Sequence, residues 1–204
     1  KLNSLPVNEI ALACIKYVGR FPLLEAQEKK LADLAASLKN DPEKLERFNL
    51  DLAGIFLDAG QAVIANYIRG DEAELERRRY YNSQNNGYDV YSRMFAVALK
   101  LCGNDKYYST KAAVFLHYFT GLALRLKIPL TENKGPLIEQ ALIEQKKALA
   151  LEEYAAYIYN ELGVLYQYQK NYAEAESYFF FVSQLSPQWA IPQSNLSSLY
   201  IAKK

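Results

Sequence analysis

His117 is the only histidine, and Cys14 and Cys102 are the only cysteines. A lone imidazole cannot build a multi-histidine metal centre, and the Glu-x-x-His pattern of helical di-iron sites is absent. The two cysteines match no metal or redox spacing, so they are expected as free thiols, half buried on helices. No Gly-rich phosphate cradle, nucleophile elbow or aspartate-rich pair is present. The acids fall on the polar faces of helices. Asp71-Glu72-Ala73-Glu74-Leu75-Glu76 followed by Arg77-Arg78-Arg79 is the densest charge run. Acids first and bases later suit a helix dipole, and Glu74 and Arg78 have the helpful four-residue spacing. A solvated helix face is the reading for this run, with an acidic-partner or phosphate patch as its competitor. No catalytic residue, cofactor or metal is therefore expected.

Composition agrees. The 204 residues carry 24 Lys+Arg against 23 Asp+Glu, a net charge of +1. That balance gives no global attraction to nucleic acid or an anionic membrane. The longest unbroken apolar run is far short of the ~18 residues that suggest a membrane span. Half the residues are apolar, enough for a continuous core, and 17 Tyr supply bulky packing material with a polar tip. The chain opens at Lys1 without Met and closes at Lys204 inside a helical pattern, as expected of a segment of a larger protein or a processed form.

No stretch alternates with period two, and Pro, Gly and Asn punctuate a succession of helical patterns. Helices are expected at about 6–19, 22–39, 42–69, 71–86, 88–101, 106–127, 136–153, 154–169, 172–185 and 189–202. Asp41 caps the third, Pro42 fits its first turn, and Gly70 ends it. Along it Leu45, Phe48, Leu52, Phe56, Ala59, Val63 and Tyr67 step by three or four, one apolar stripe. Tyr91, Phe95, Ala98 and Leu101 form another on 88–101. Ten helices joined by short links predict stacked antiparallel pairs.

Self-similarity sharpens this picture. Tyr159, Leu162, Gly163, Tyr166, Ala175, Phe179 and Pro187 stand at positions 4, 7, 8, 11, 20, 24 and 32 of a unit running 156–189. Gly163 and Ala175 are small where two helices would cross, and Pro187 stops the second. Leu196, Ser197 and Tyr200 repeat positions 7, 8 and 11. Thr120, Gly121, Leu124, Ala141 and Ala148 fit an earlier unit, provided a loop at about 128–135 holds eight extra residues. The spacing resembles the tetratricopeptide repeat, departing from it at Val182, where that family prefers Ala. The resemblance implies an all-α, right-handed superhelix of about ten helices in a single domain over 1–204. Its parts are degenerate N-terminal helices at 1–70, a worn repeat at 71–105 and a repeat with a loop insertion at 112–155. The clear repeat at 156–189 and a terminal half-repeat at 190–204 complete it.

In that family the first helix of each pair lines a concave surface that holds a peptide or a partner helix. Carried over by position, the inward-facing residues are Tyr118, Arg125, Tyr157, Asn160, Val164, Gln167, Tyr168 and Ser194, with Leu122 and Ser198 beside them. An amide, hydroxyls and aromatic rings suit a peptide groove. The basic residues with which chaperone-tail binders hold a terminal carboxylate are missing, so that subtype is excluded. His117 takes the aromatic position 4 and is expected as a packed or edge-exposed ring. The function implied is a non-catalytic scaffold for a protein or peptide partner, with neither nucleic acid nor a membrane span. The alternative is a structural spacer that self-associates as a homodimer through the C-terminal helix, whose Ile191, Leu199 and Ile201 are expected to lie uncovered.

Overall fold

The computed structural model describes Lys29, Asp33, residues 36–79 and residues 88–203. Among these residues all regular structure is helical. In chain order it comprises α1 (Pro42–Arg69), α2 (Glu72–Arg79), α3 (Tyr88–Leu101), α4 (Lys106–Lys127) and a 3-10 turn at Ile128–Leu130. These are followed by α5 (Gly135–Leu151), α6 (Ala156–Tyr168), α7 (Tyr172–Leu185) and α8 (Ala190–Ala202). The chain is all-α. The helix expected at 6–19, most of that at 22–39, and Cys14 lie outside the described residues, and the helix expected over 71–86 is described only from Glu72 to Arg79.

Local chemistry sets the helix ends. The side chains of Asp41, Asp71 and Asp105 accept from the backbone N–H of Lys44, Glu74 and Tyr108 at 3.2, 2.9 and 2.9 Å, each satisfying an orphan donor of a first turn. Gly70, at φ 75°, closes α1 while the Asp71 N–H reaches back to the Asn66 carbonyl at 2.9 Å. That left-handed stop suits a residue with no Cβ. Lys170 takes the same role after α6 at φ 62°, with the Asn171 N–H on the Tyr166 carbonyl at 3.0 Å.

The chain forms two compact units. The first contains the described residues up to Gln61 together with 88–116. The second contains 62–79 together with 117–203, so α1 and α4 contribute to both. The α1 stripe is buried from Phe48 to Tyr67, with Leu45 half-buried. By length and hydropathy α1 is also the one described helix that would suit a membrane span. Within the first unit, Tyr88, Tyr91, Phe95 and Ala98 of α3 are buried. A Cβ at Gly60 would lie 2.5 Å from the Phe95 ring and 2.9 Å from that of Phe115, and those rings meet edge to face at 5.1 Å. Cys102 is a buried free thiol whose Sγ donates to the Ala98 carbonyl at 3.0 Å.

In the second unit α5 packs on α6, α6 on α7 and α7 on α8. At the α6–α7 crossing a Cβ on Gly163 would stand 2.5 Å from the Phe179 ring, and Ala175, Leu162 and Val182 are buried. At the α4–α5 crossing a Cβ on Gly121 would stand 2.6 Å from Nε2 of Gln145. The two glycines are eight residues further apart in sequence than their two partners. The extra length falls between α4 and α5, where the 3-10 turn and residues 131–134 intervene. Leu199, expected to be uncovered, is instead buried with Ala175 and Phe179 because α8 lies along α7. Ile191 is half-buried and Ile201 is 74% exposed.

The α6–α7 crossing can be tested directly. Gly163→Val is expected to lower stability by about 1–3 kcal/mol in chemical denaturation, since the added atoms collide with a ring that is itself enclosed. Combined with Phe179→Leu it is expected to cost less than the two single changes added; strict additivity would show that the pair is not in contact.

Candidate functional site

The residues expected on an inner face divide sharply. Tyr118 of α4 and Asn160 of α6 are fully buried. The Tyr118 hydroxyl accepts from Nη1 of Arg78 at 2.7 Å, and its carbonyl accepts from Nε2 of Gln145 at 3.0 Å. Nδ2 of Asn160 donates to the Tyr67 hydroxyl at 2.9 Å, and its Oδ1 accepts from Nδ2 of Asn195 at 2.9 Å. Tyr157 is buried edge-on to Tyr118, ring centroids 4.7 Å apart, with its hydroxyl donating to Glu152 at 3.0 Å. Val164 packs on the Ala175–Phe179–Leu199 cluster, which belongs to the α6–α7–α8 seam. Leu122 is buried, Gln167 is half-buried, and Tyr168, Ser194 and Ser198 are exposed.

The expectation of an open surface is thus corrected at Tyr118, Tyr157 and Asn160. Tyr67 from the last turn of α1 meets Asn160, and Arg78 from α2 meets Tyr118. The charge run 71–79 is corrected too. Arg79 is exposed, but Glu74 and Arg78 are buried. Their four-residue spacing forms an interior ion pair, Nε to Oε1, of 2.7 Å.

Arg78 lies at the centre of this region. Its guanidinium lies 3.7 Å from the centroid of the Tyr67 ring, a cation–π contact strengthened by desolvation. Its Nη1 also approaches Glu161 Oε1 at 3.5 Å. Glu161, on α6, has a side chain only 1% exposed, and Arg125 of α4 stands 2.6 Å from its Oε2. That contact is a close approach of charges rather than an aligned hydrogen bond. Glu74, Arg78, Arg125 and Glu161 together sum to zero formal charge, which lets four ionised groups share an interior site.

This environment alters the neighbouring groups. Burial, then the negative Glu161, push the Tyr67 phenol up to about 12 against the opposing pull of Arg78 and Arg125. Burial raises Tyr118 well above the ordinary phenol range, with Arg78 opposing. Tyr157 is raised by burial and by the Glu152 carboxylate. For Arg125, burial pulls downward but Glu161 outweighs it, and the guanidinium pKa rises. At neutral pH the region therefore presents neutral phenols, charged guanidiniums and an amide pair. Those groups are suited to recognising hydrogen-bonding partners. Among the described residues no group of three or more His, Cys, Asp and Glu is placed to hold a metal ion. His117 is half-buried at the edge of α4, its Nδ1 2.7 Å from Glu144. That ring and Lys147 hold the Glu144 carboxyl below its ordinary range, although burial pulls it the other way.

Glu74, Arg78, Glu161 and Tyr67 were not expected as site residues. One signal for Glu161 was present: it is the only charged residue in α6, among Ala, Tyr, Ile, Leu, Val and amides. No protein-family model, curated protein or solved structure matches the chain.

Two measurements check the region. Arg125→Met is expected to destabilise the chain by about 3 kcal/mol in urea, because Glu161 then loses its nearest counter-charge. Arg125→Met with Glu161→Met is expected to be more stable than the single variant. Separately, the folded chain keeps its buried phenolic protons to higher pH than the unfolded chain, whose phenols titrate near pH ~10. Their contribution to stability is then complete below about pH 10 and declines as pH rises towards about 12. Tyrosinate absorbance should accordingly show a normal class of phenols and a delayed class that shrinks on Tyr67→Phe with Tyr118→Phe; a single unshifted class would refute the burial.

Proposed function

We infer that the chain is a non-catalytic helical-repeat scaffold of the tetratricopeptide kind, which binds a peptide or a protein partner. The observation that carries this reading is the common phase of two helix crossings. Gly121 faces Gln145 and Gly163 faces Phe179, each glycine at position 8 of its unit and each partner at position 24. Such a match follows when one structural unit recurs, and stacked helix pairs serve chiefly as recognition surfaces. The polar character of the α4 and α6 side chains adds support. Asn160, Tyr118 and Arg125 offer an amide, a hydroxyl and a cation, of which Tyr67, Arg78 and Glu161 take up part. The expected positions left accessible to a partner are Gln167 and Tyr168 on α6 and Ser194 on α8.

Random peptides displayed on phage and selected against the chain test this reading. Selected binders are expected to lose at least about tenfold in affinity when Gln167→Ala and Tyr168→Ala are combined, a loss worth ~1.4 kcal/mol. The melting temperature should stay unchanged, since neither side chain is buried. Binders insensitive to these changes would refute the assigned face.

A further inference from the structure

We propose that the cleft between α5 and α6, with the aromatic row that continues it onto α7, is a second peptide site. It takes a proline-rich segment in the extended polyproline II conformation, with a basic residue towards Glu153 and an acidic residue towards Lys146. This site needs only the packing of α5 on α6 and of α6 on α7. It lies apart from the face assigned above, because Tyr168 follows Tyr159 by nine residues and so projects from the opposite side of α6.

Helical spacing assembles the rings. Tyr159 and Tyr166 are two turns apart on α6 and share a face, as do Tyr178 and Phe181, three residues apart on α7. Tyr159 contacts Phe181 and Tyr178 with centroids 4.6 and 6.0 Å apart, and Tyr166 stacks on Tyr178 at 5.3 Å. One row therefore runs from Phe181 through Tyr159 and Tyr178 to Tyr166. Beside it a cleft of about 450 Å³ is lined by Lys146, Leu149, Ala150, Glu153, Tyr154 and Tyr159, so Tyr159 belongs to both. Tyr154 is 76% exposed and Phe181 41%. Rings with few rotatable bonds, held at a surface, give contact area that costs little entropy to use.

The unspent polar groups define the ligand. Among the described residues the hydroxyls of Tyr154 and Tyr159 have no hydrogen-bond partner, and Glu153 has no cation. Phenol donors beside open ring faces ask for acceptors carried on an apolar surface. A polyproline II segment is such a ligand, since its carbonyls make no internal hydrogen bonds and its prolines present apolar rings without N–H groups. A helical ligand spends most of its carbonyls on itself and leaves those hydroxyls unanswered. Prolines on one face of the extended segment recur every ~9 Å, comparable with two steps along the ring row. Charge then fixes the ends. Glu153 lies just before α6, whereas Lys146 stands 5.6 Å from the centroid of the Tyr166 ring, two turns beyond Tyr159, and has no carboxylate partner among the described residues. The two charges thus lie at opposite ends of the cleft, and a segment with a base at one end and an acid at the other complements both.

The probes are a dye-labelled, amidated peptide Arg-Pro-Pro-Pro-Pro-Pro-Glu and the same residues in reverse order, because either chain direction presents the same proline faces. With the full chain, fluorescence anisotropy is expected to show saturable binding of at least one of them. Tyr154→Ala combined with Phe181→Ala should weaken that binding at least about tenfold, and Glu153→Lys about threefold. Gln167→Ala with Tyr168→Ala should leave it unchanged. Glycine in place of the five prolines keeps the charges but loosens the backbone, and should cost at least about tenfold. Saturation by neither probe overturns the proposal, as does a glycine peptide that binds as tightly as its proline parent. Should the double aromatic variant melt at a lower temperature than the parent, Glu153→Lys decides, since Glu153 is exposed: unchanged affinity in that variant overturns the site. Phage-selected peptides that depend on Gln167 and Tyr168 while both proline probes fail would overturn this inference and leave the scaffold reading standing.

Discussion

A carboxylate whose side chain is 1% exposed has to be answered by positive charge close at hand, and Glu161 imposes that demand on everything around it. In the interior a unit charge without a partner is penalised by several kcal/mol even after relaxation. The rest of α6 offers no cation, so the answer has to come from elsewhere in the chain. Arg125 brings it from α4, and Arg78 brings it from α2. Glu161 therefore ties α2, α4 and α6 together through charge. Apolar packing alone would tolerate a slip along the axis more readily, since leucine and alanine faces match in several registers.

Tyrosine follows the same logic. Tyr67, Tyr118 and Tyr157 are buried rings, yet each hydroxyl meets a polar partner: Asn160, Arg78 and Glu152. A phenylalanine at any of these places would fill the same volume and leave a polar partner without its bond. Part of the high tyrosine content thus reflects a core built around charged groups, where a large ring must end in something that can hydrogen-bond. Another part lies on α6 and α7, where Tyr166 stacks on Tyr178 and Tyr159 contacts Phe181 with centroids 5.3 and 4.6 Å apart. There the rings lie between α6 and α7.

Local physics was legible in the residues. Asp41, Asp71 and Asp105 announce helix starts, Gly70 announces a stop, and the stripe from Phe48 to Tyr67 announces a buried face. The Gly163–Phe179 crossing could be read from spacing because both residues lie within one unit. The interior site could not, for a specific reason: its defining contacts join distant segments. Asn160 meets Tyr67 across 93 positions and Arg78 meets Tyr118 across 40. The four-residue spacing from Glu74 marks Arg78 as a helix ion-pair partner, yet by local composition Arg77, Arg78 and Arg79 all belong in water. Burial of Arg78 is decided by Glu161 and Tyr118, whose own places depend on the stacking of helix pairs. Tyr118 and Asn160, expected to face a partner, meet Arg78 and Tyr67 of the same chain instead.

The hydrogen bonds around Asn160 also constrain what could ever replace that cis partner. Asn195 donates to Asn160, and Asn160 donates to the Tyr67 hydroxyl, so donors run in one direction from α8 through α6 to α1. With its Oδ1 already taken by Asn195, Asn160 has its Nδ2 protons to offer. Any group standing where the Tyr67 hydroxyl stands must therefore accept. A backbone carbonyl satisfies that condition, as does another hydroxyl, while an ammonium group does not. The neighbouring Glu161–Arg125 pair, already neutral, asks for no net charge from outside. Direction of donation and local neutrality together suit an uncharged acceptor such as the Tyr67 hydroxyl at this place, and they depend on which lone pairs and protons remain unspent more than on shape.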